Sequence, residues 1–242
     1  MKLLQWNIWN REDVENTLKL LREVDADILC LQELTAGDSE SNNGADLPAR
    51  IAAELGLNYV FAPASDEAGK KYGDGIFSRF PIISSVSSCI QDPPPREKEE
   101  DYSSECRVYV EASIQLEDDV LNVGTSHMSY TDRFGTTEAK IAETNKLLET
   151  LKQKKERFIF AGDLNATPDT YTVTEISKVL THCGPNMSEK TWTTKPFAYK
   201  GFEETQLNWR LDYCFATPDI TITSSKIIQT DYSDHLPVLI EF

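Results

Sequence analysis

Short apolar runs that each close on a polar side chain recur along this chain, and they restrict its fold more than any other feature. Phe158-Ile159-Phe160-Ala161 has the length of a buried strand. It breaks at Gly162 and presents Asp163 and Asn165 two positions apart. Alternate residues of a strand share a face, so this spacing aims a carboxylate and an amide at one point. Pro168 and Asp169 mark the turn beyond. Other runs end alike: Lys2 to Trp6 closes on Asn7, Ile28 to Leu31 on Gln32 and Glu33, and Val120 to Gly124 leads to Ser126 and His127. Asp234 and His235 stand just before the last run, Pro237 to Phe242.

Helical patterns lie between these runs. Asn10 is read as an N-cap with Asp13 in the first turn, ahead of an apolar stripe at Val14, Leu18 and Leu21 that continues near Val24. Leu47 to Leu55 reads as a short helix stopped by Gly56. Glu138 to Lys154 reads as a longer one with Ile141, Leu148 and Leu151 on its buried face, and a short helix is expected around Val173 to Leu180. Further strands are expected at Tyr59 to Ala62, Ile76 to Ser78, from Pro81 onward, at Arg107 to Leu116, from Trp209 to Tyr213 and at Ile220 to Ile228. Tyr72 to Gly75 reads as a turn, and Thr35 to Asp46 and Gln91 to Ser104 as polar loops, the first at the rim of any site. No repeat or linker divides the chain, so one domain over residues 1–242 is expected.

A formal charge of −16 disfavours a broad basic groove for duplex nucleic acid, whose binding rests on phosphate neutralisation. It leaves a phosphate substrate open, because a bound divalent cation inverts the local field. The five cysteines (Cys30, Cys89, Cys106, Cys183, Cys214) show no CxxC or Cys/His metal spacing and are read as reduced and structural. No run approaches the roughly 20 apolar residues of a membrane span, and MKLLQWNIWN is too polar for a signal peptide. A cytoplasmic monomer is expected.

Ligands lie outside strand ends in layered sheets, so the polar tips gather in one pocket if these strands are neighbours. Carboxylates crowded there would repel and be costly to desolvate unless neutralised. Apart from Arg210 the polar segments hold no Lys or Arg. A hard divalent cation is therefore the natural counter-charge, and oxygen ligands point to Mg2+, with Mn2+ an alternative, over zinc.

In order, QWNIW (Gln5 to Trp9), LQE (Leu31 to Glu33), SH (Ser126-His127), GDLN (Gly162 to Asn165), RLDY (Arg210 to Tyr213) and SDH (Ser233 to His235) resemble the motif set of the endonuclease/exonuclease/phosphatase superfamily. The resemblance implies a four-layer α/β/β/α sandwich of two packed mixed sheets with helices outside, and metal-dependent phosphoester hydrolysis. By motif position it implies Glu33 as the principal metal ligand, with Asn7 and Asp234 beside it. Asp163 would orient or deprotonate the attacking water, Asn165 would hold the phosphate or that water, and His127 and His235 would stabilise phosphoryl charge. Asp212 would support a histidine. The remaining histidine, His182, is read as structural. Arg107, Arg210 and Trp192 are candidates to bind substrate, with Lys70, Lys71, Arg79 and Arg133 as further basic contacts.

The chain departs from the pattern at Gly73-Asp74-Gly75-Ile76, where many relatives carry a GNAI-like segment. GTSHMSY resembles the histidine motif of the phosphatase, sphingomyelinase and tyrosyl-DNA types and differs from the asparagine-rich segment of apurinic endonucleases. Leu211-Asp212-Tyr213 departs from the tyrosyl-DNA enzymes. The function expected is a phosphodiesterase acting on a DNA or RNA end or strand by direct water attack. The alternatives are a phosphatase or lipid phosphodiesterase of the same superfamily, or a binding module that kept the fold.

Overall fold

The computed structural model describes residues 1–37, 46–67, 69–92, 102 and 105–242. Most of the two polar loops expected at Thr35 to Asp46 and Gln91 to Ser104 lies outside the described residues. The strands are β1 (Lys2–Asn7), β2 (Ile28–Gly37), β3 (Asn58–Glu67), β4 (Lys70–Ser78), β5 (Ile82–Gln91), β6 (Arg107–Gln115), β7 (Val120–His127) and β8 (Phe158–Asp163). They continue with β9 (Thr181–His182), β10 (Phe197–Tyr199), β11 (Phe202–Glu204), β12 (Asp212–Ala216), β13 (Ser224–Ile227) and β14 (Val238–Glu241). The α-helices are α1 (Val14–Val24), α2 (Leu47–Leu55), α3 (Glu138–Leu151) and α4 (Tyr171–Ser177).

Two six-stranded sheets form, ordered β13-β14-β1-β2-β4-β3 and β5-β6-β7-β8-β12-β9. Each has one parallel pair at its centre, β1 with β2 and β7 with β8, flanked by antiparallel neighbours. Strand alternation sorts the apolar residues into three layers. Leu3, Ile28, Cys30 and Ile76 meet Val110, Ala112, Val123, Ile159 and Ala161 between the sheets. Leu4, Trp6, Leu29 and Leu31 face outward and bury the stripe of α1 and the Leu47 and Ile51 side of α2. Phe158, Phe160, Tyr213 and Phe215 do the same under Leu147, Leu148, Val173 and Ile176 of α3 and α4. The result is the expected α/β/β/α sandwich. No helix of the described residues is long and apolar enough to cross a membrane.

Several local expectations change for physical reasons. Asp13, not Asn10, caps α1: its carboxylate accepts from the Glu15 amide at 2.8 Å. Tyr72 to Gly75 is not a turn but the middle of β4. Its glycines serve close strand approach, since a Cβ at Gly73 would lie 2.1 Å from the Ala62 carbonyl oxygen. Strand β8 runs through Gly162 to Asp163, where a Cβ would lie 2.3 Å from the Ser126 carbonyl oxygen across the parallel pair. Strand β12 starts only at Asp212, and the Ile220 to Ile228 run yields only Ser224–Ile227. Helix α3 ends at Leu151, and its buried face holds Lys140, Glu143 and Thr144 where Ile141 was expected.

Candidate active site

Parallel pairing brings strand ends together. Asn7 pairs with Gln32 across β1 and β2, and His127 with Asp163 across β7 and β8. Antiparallel β12 delivers Asp212 opposite Asp163. A buried amide belt ties the two sheets at this level: Gln5 Nε2 donates to Gln32 Oε1 at 2.9 Å and to Asp212 Oδ1 at 3.0 Å, and Gln32 Nε2 donates to Thr125 Oγ1 at 2.9 Å. Glu33 is not at a strand end as expected. Strand β2 continues to Gly37, and a register shift between Leu31 and Leu34 throws Glu33 into the left-handed region (φ 62°). Asn165 (φ 45°) and Trp9 (φ 55°) share that conformation. For non-glycine residues it costs on the order of 1–3 kcal/mol, and such strain concentrates at functional sites.

These placements converge on one carboxylate oxygen. Asp163 Oδ2 lies 3.1 Å from Asn7 Nδ2, 3.4 Å from His127 Nε2 and 3.5 Å from His235 Nε2. Asp163 Oδ1 accepts the Asn165 amide at 2.9 Å, and Asp212 Oδ2 holds His235 Nδ1 at 2.9 Å. Asn7 Nδ2 also donates to Glu33 Oε1 at 3.1 Å, while the Asn10 amide donates to Glu33 Oε2 at 3.1 Å. Asn165 Nδ2 lies 3.1 Å from His127 Nε2 and donates to the Met128 carbonyl at 3.0 Å. Taken as assigned, that amide makes Nε2 the acceptor and leaves the proton of a neutral His127 on Nδ1, which has no hydrogen-bond partner.

Burial dominates the electrostatics. It raises the Glu33 carboxyl, helped by the nearby Asp234 charge, and it raises Asp234 likewise. It lifts Asp163 to about 6 against the opposing pull of His235. Burial lowers His127, and the positive charges of Arg107, His235 and Lys140 lower it further. Burial alone would lower His235 too, but Asp212, Asp163 and Asp234 together hold it well above the usual imidazole range. Opposite shifts on neighbouring titratable groups assign proton acceptor and donor roles.

A polar shell to which the sequence reading assigned no role orients these groups. Asp74, buried and raised to about 7 by desolvation, accepts the His127 backbone amide at 2.9 Å. Glu143 accepts the Ser129 amide and hydroxyl at 2.9 and 2.6 Å, and Lys140 Nζ donates to the Ser129 carbonyl at 2.6 Å. Ser233 Oγ donates to the Asn7 carbonyl at 2.7 Å, and Trp6 Nε1 to the His235 carbonyl at 3.0 Å.

Among the proposed substrate contacts, placement differs. Arg107 is buried and bonded to Glu105 at 2.6 Å through Nη2, with Nε lacking a partner among the described residues. Trp192 is buried in an aromatic cluster with Phe134, Phe197 and Phe202, and its indole N–H donates to Asp234 Oδ2 at 3.0 Å. It therefore orients a carboxylate and offers no open stacking face. Arg210 corrects the expectation of a substrate grip. It is fully buried, and its guanidinium donates to the carbonyls of Asp212, Asn186, Glu189 and Pro185 at 2.7–3.2 Å. Arg79 pairs with Asp25 and Asp27 at the end of β2 opposite Glu33, while Lys70 and Lys71 pair with Gly37 and Ala36 at the Glu33 end. Arg133 stands over the Phe202 ring. His182 packs edge-on against Tyr213 and Phe215, outside the site, as expected of the spare histidine. Replacing Arg210 with Ala strands several of those carbonyls, so a loss of about 3 kcal/mol is expected. Thermal unfolding followed by circular dichroism should show a midpoint about 6–12 °C lower.

A family model described as the Endonuclease/Exonuclease/phosphatase family matches residues 4–235. No curated protein matches. Solved structures that align include the mannosyl-6-phosphatase Bt3783 of Bacteroides thetaiotaomicron VPI-5482 (TM-score 0.71, 16% identity, 100% of this chain and 98% of that one). A functionally unknown conserved protein from Enterococcus faecalis V583 aligns with TM-score 0.73 at 15% identity, over 100% and 98%. A humanized D. rerio TDP2 aligns with TM-score 0.65 at 20% identity, over 99% and 97%. These likenesses extend the shared sandwich over whole chains.

Proposed function

Because this chain belongs to the endonuclease/exonuclease/phosphatase family, a family of phosphoester hydrolases, we propose that it is a divalent-cation-dependent phosphodiesterase acting on a nucleic-acid end or a similarly compact phosphodiester by direct attack of water. The observation that carries the reading is the position of Asp163 Oδ2, within 3.5 Å of Asn7 Nδ2, His127 Nε2 and His235 Nε2. The donor set fits a hard cation: Glu33 and Asp234 are half-buried carboxylates whose proton affinity desolvation raises, the Asp234 charge raising Glu33 further, with the Asn7 amide alongside. Such a cation, Mg2+ or Mn2+, would supply Lewis acidity toward a phosphoryl oxygen.

The chain's own groups do the rest. Asp163, with a proton affinity near neutrality, takes the proton of the attacking water at Oδ2. Cationic His235 faces the phosphoryl oxygens, where charge spreads in the transition state, while neutral His127 turns its unprotonated Nε2 toward Asn165 and Asp163. Asp212 fixes the tautomer and tilt of His235, and Asn165 braces His127. With Arg210 and Arg79 spent elsewhere, few cations line the mouth, which favours an end or a compact ester over a long duplex. The second reading is a phosphomonoesterase, the activity named for the mannosyl-6-phosphatase Bt3783, whose fold this chain shares over its whole length.

Purified protein should hydrolyse bis(p-nitrophenyl) phosphate and short single-stranded oligonucleotides with Mg2+ or Mn2+, and lose turnover in EDTA. Activity on p-nitrophenyl phosphate alone would select the second reading, and metal-independent turnover would discard both. Saturating Mg2+, at about a hundred times its dissociation constant, should add about 2.7 kcal/mol and raise the melting temperature by about 5–10 °C. Protons compete for the raised Glu33 and Asp234 carboxylates, so this gain should shrink as pH falls below neutrality, sooner than ordinary carboxylates would allow, and vanish in Glu33→Gln.

A further inference from the structure

A different set of ligand atoms lies at the edge of the second sheet. Cys89 sits near the end of edge strand β5, and Cys106 directly precedes β6. Their sulfurs and a carboxylate oxygen of Asp92 all lie within 4.8 Å of one another. Burial raises the Cys106 thiol, and the neighbouring Cys89 and Asp92 raise it further. Both thiols are half-buried and Asp92 is exposed, so the group opens to solvent on one side.

We propose that Cys89, Cys106 and Asp92 form a binding site for a soft divalent cation of the zinc class, distinct in chemistry from the oxygen-lined pocket. Thiolates select zinc-like ions, and carboxylates and amides select Mg2+. Tetrahedral Zn–S bonds of about 2.3 Å place two sulfurs about 3.8 Å apart, so the side chains need close by no more than about 1 Å. A Cys2Asp set leaves the fourth position to water. Cation binding would fix Cys106, and with it the adjoining Arg107, against the end of β5. The sequence conceals the site because its spacing, Cys89-x2-Asp92-x13-Cys106, matches no common zinc pattern.

The reduced, metal-free full chain should be titrated with Co2+ and watched for sulfur-to-cobalt charge-transfer absorption in the near ultraviolet, which one equivalent of Zn2+ should erase. Cys89→Ser and Cys106→Ser should each abolish the band while keeping the far-ultraviolet circular dichroism of the parent. Asp92→Asn should keep it with affinity weakened at least about tenfold, the cost of losing even an outer partner. Glu33→Gln should leave the band untouched, so its failure and that of the hydrolase reading are separable. A reduced chain that shows no thiolate band would overturn the site. Thiols that instead pair into a disulfide under hydrogen peroxide would then mark it as a redox pair.

Discussion

Asp163→Asn is expected to lower kcat/KM by about a thousandfold, roughly 4 kcal/mol of transition-state stabilisation, while the protein stays folded. Asparagine keeps the Oδ1 acceptor that the Asn165 amide uses at 2.9 Å. At the second position it replaces the carboxylate oxygen near both histidine Nε2 atoms with an N–H2 group facing Asn7 Nδ2. The donor–donor conflict costs stability, and removal of a buried charge near Asp212 returns some of it. The melting temperature should therefore move by only a few degrees. Steady-state kinetics beside a thermal melt read both quantities. A loss under tenfold in a folded variant would end Asp163's candidacy as the base.

His235→Ala should cost about 10²–10³-fold in kcat, the usual toll for removing a positioned donor to developing negative charge. It should also change the pH profile in a predictable sense. Asp212, Asp163 and Asp234 outweigh burial and keep the imidazole protonated above its ordinary range. Activity that needs this cation is therefore full at neutral pH and fades only as pH rises through the raised value. Asp212→Asn removes the carboxylate 2.9 Å from Nδ1, lowers that value, and should draw the alkaline limb of kcat toward neutrality. In His235→Ala the limb should disappear. An unchanged limb in Asp212→Asn would assign the titration to another group.

Asn7 and Asp163 were legible because each is a polar type at the tip of an apolar strand, where the pleat fixes its direction; Asn165, two residues past β8, and His235, three before β14, were legible only through their motifs. Glu33 was legible as a ligand but not as a bulge, since the slip between Leu31 and Leu34 depends on pairing with β4. Asp74 gave no signal of its use, because its partner is the backbone amide of His127, distant in sequence. Lys140 and Glu143 lie outside the apolar stripe read for α3, yet they are buried behind Ser129. Gly73 and Gly75 carry the same composition whether they turn a chain or let two strands touch, so tertiary contact decided β4. Arg210 lay beside a motif and still went to carbonyls of the 185–189 segment, which no spacing rule anticipates.

The seam at Gln5, Gln32, Asp212 and Thr125 divides ownership of the chemistry. Asn7, Glu33, Asp234 and His235 ride on one slab, and His127, Asp163, Asn165 and Asp212 on the other. The first slab takes its strands from both ends of the chain, β1–β4 and β13–β14, and the second from between them, so a fragment confined to residues 82–216 keeps only the second slab and would be inert. Hydrolysis thus doubles as a gauge of how firmly the halves are clamped. A substitution deep in their shared interior, such as Ile159→Asp, should silence the enzyme without touching one reacting group.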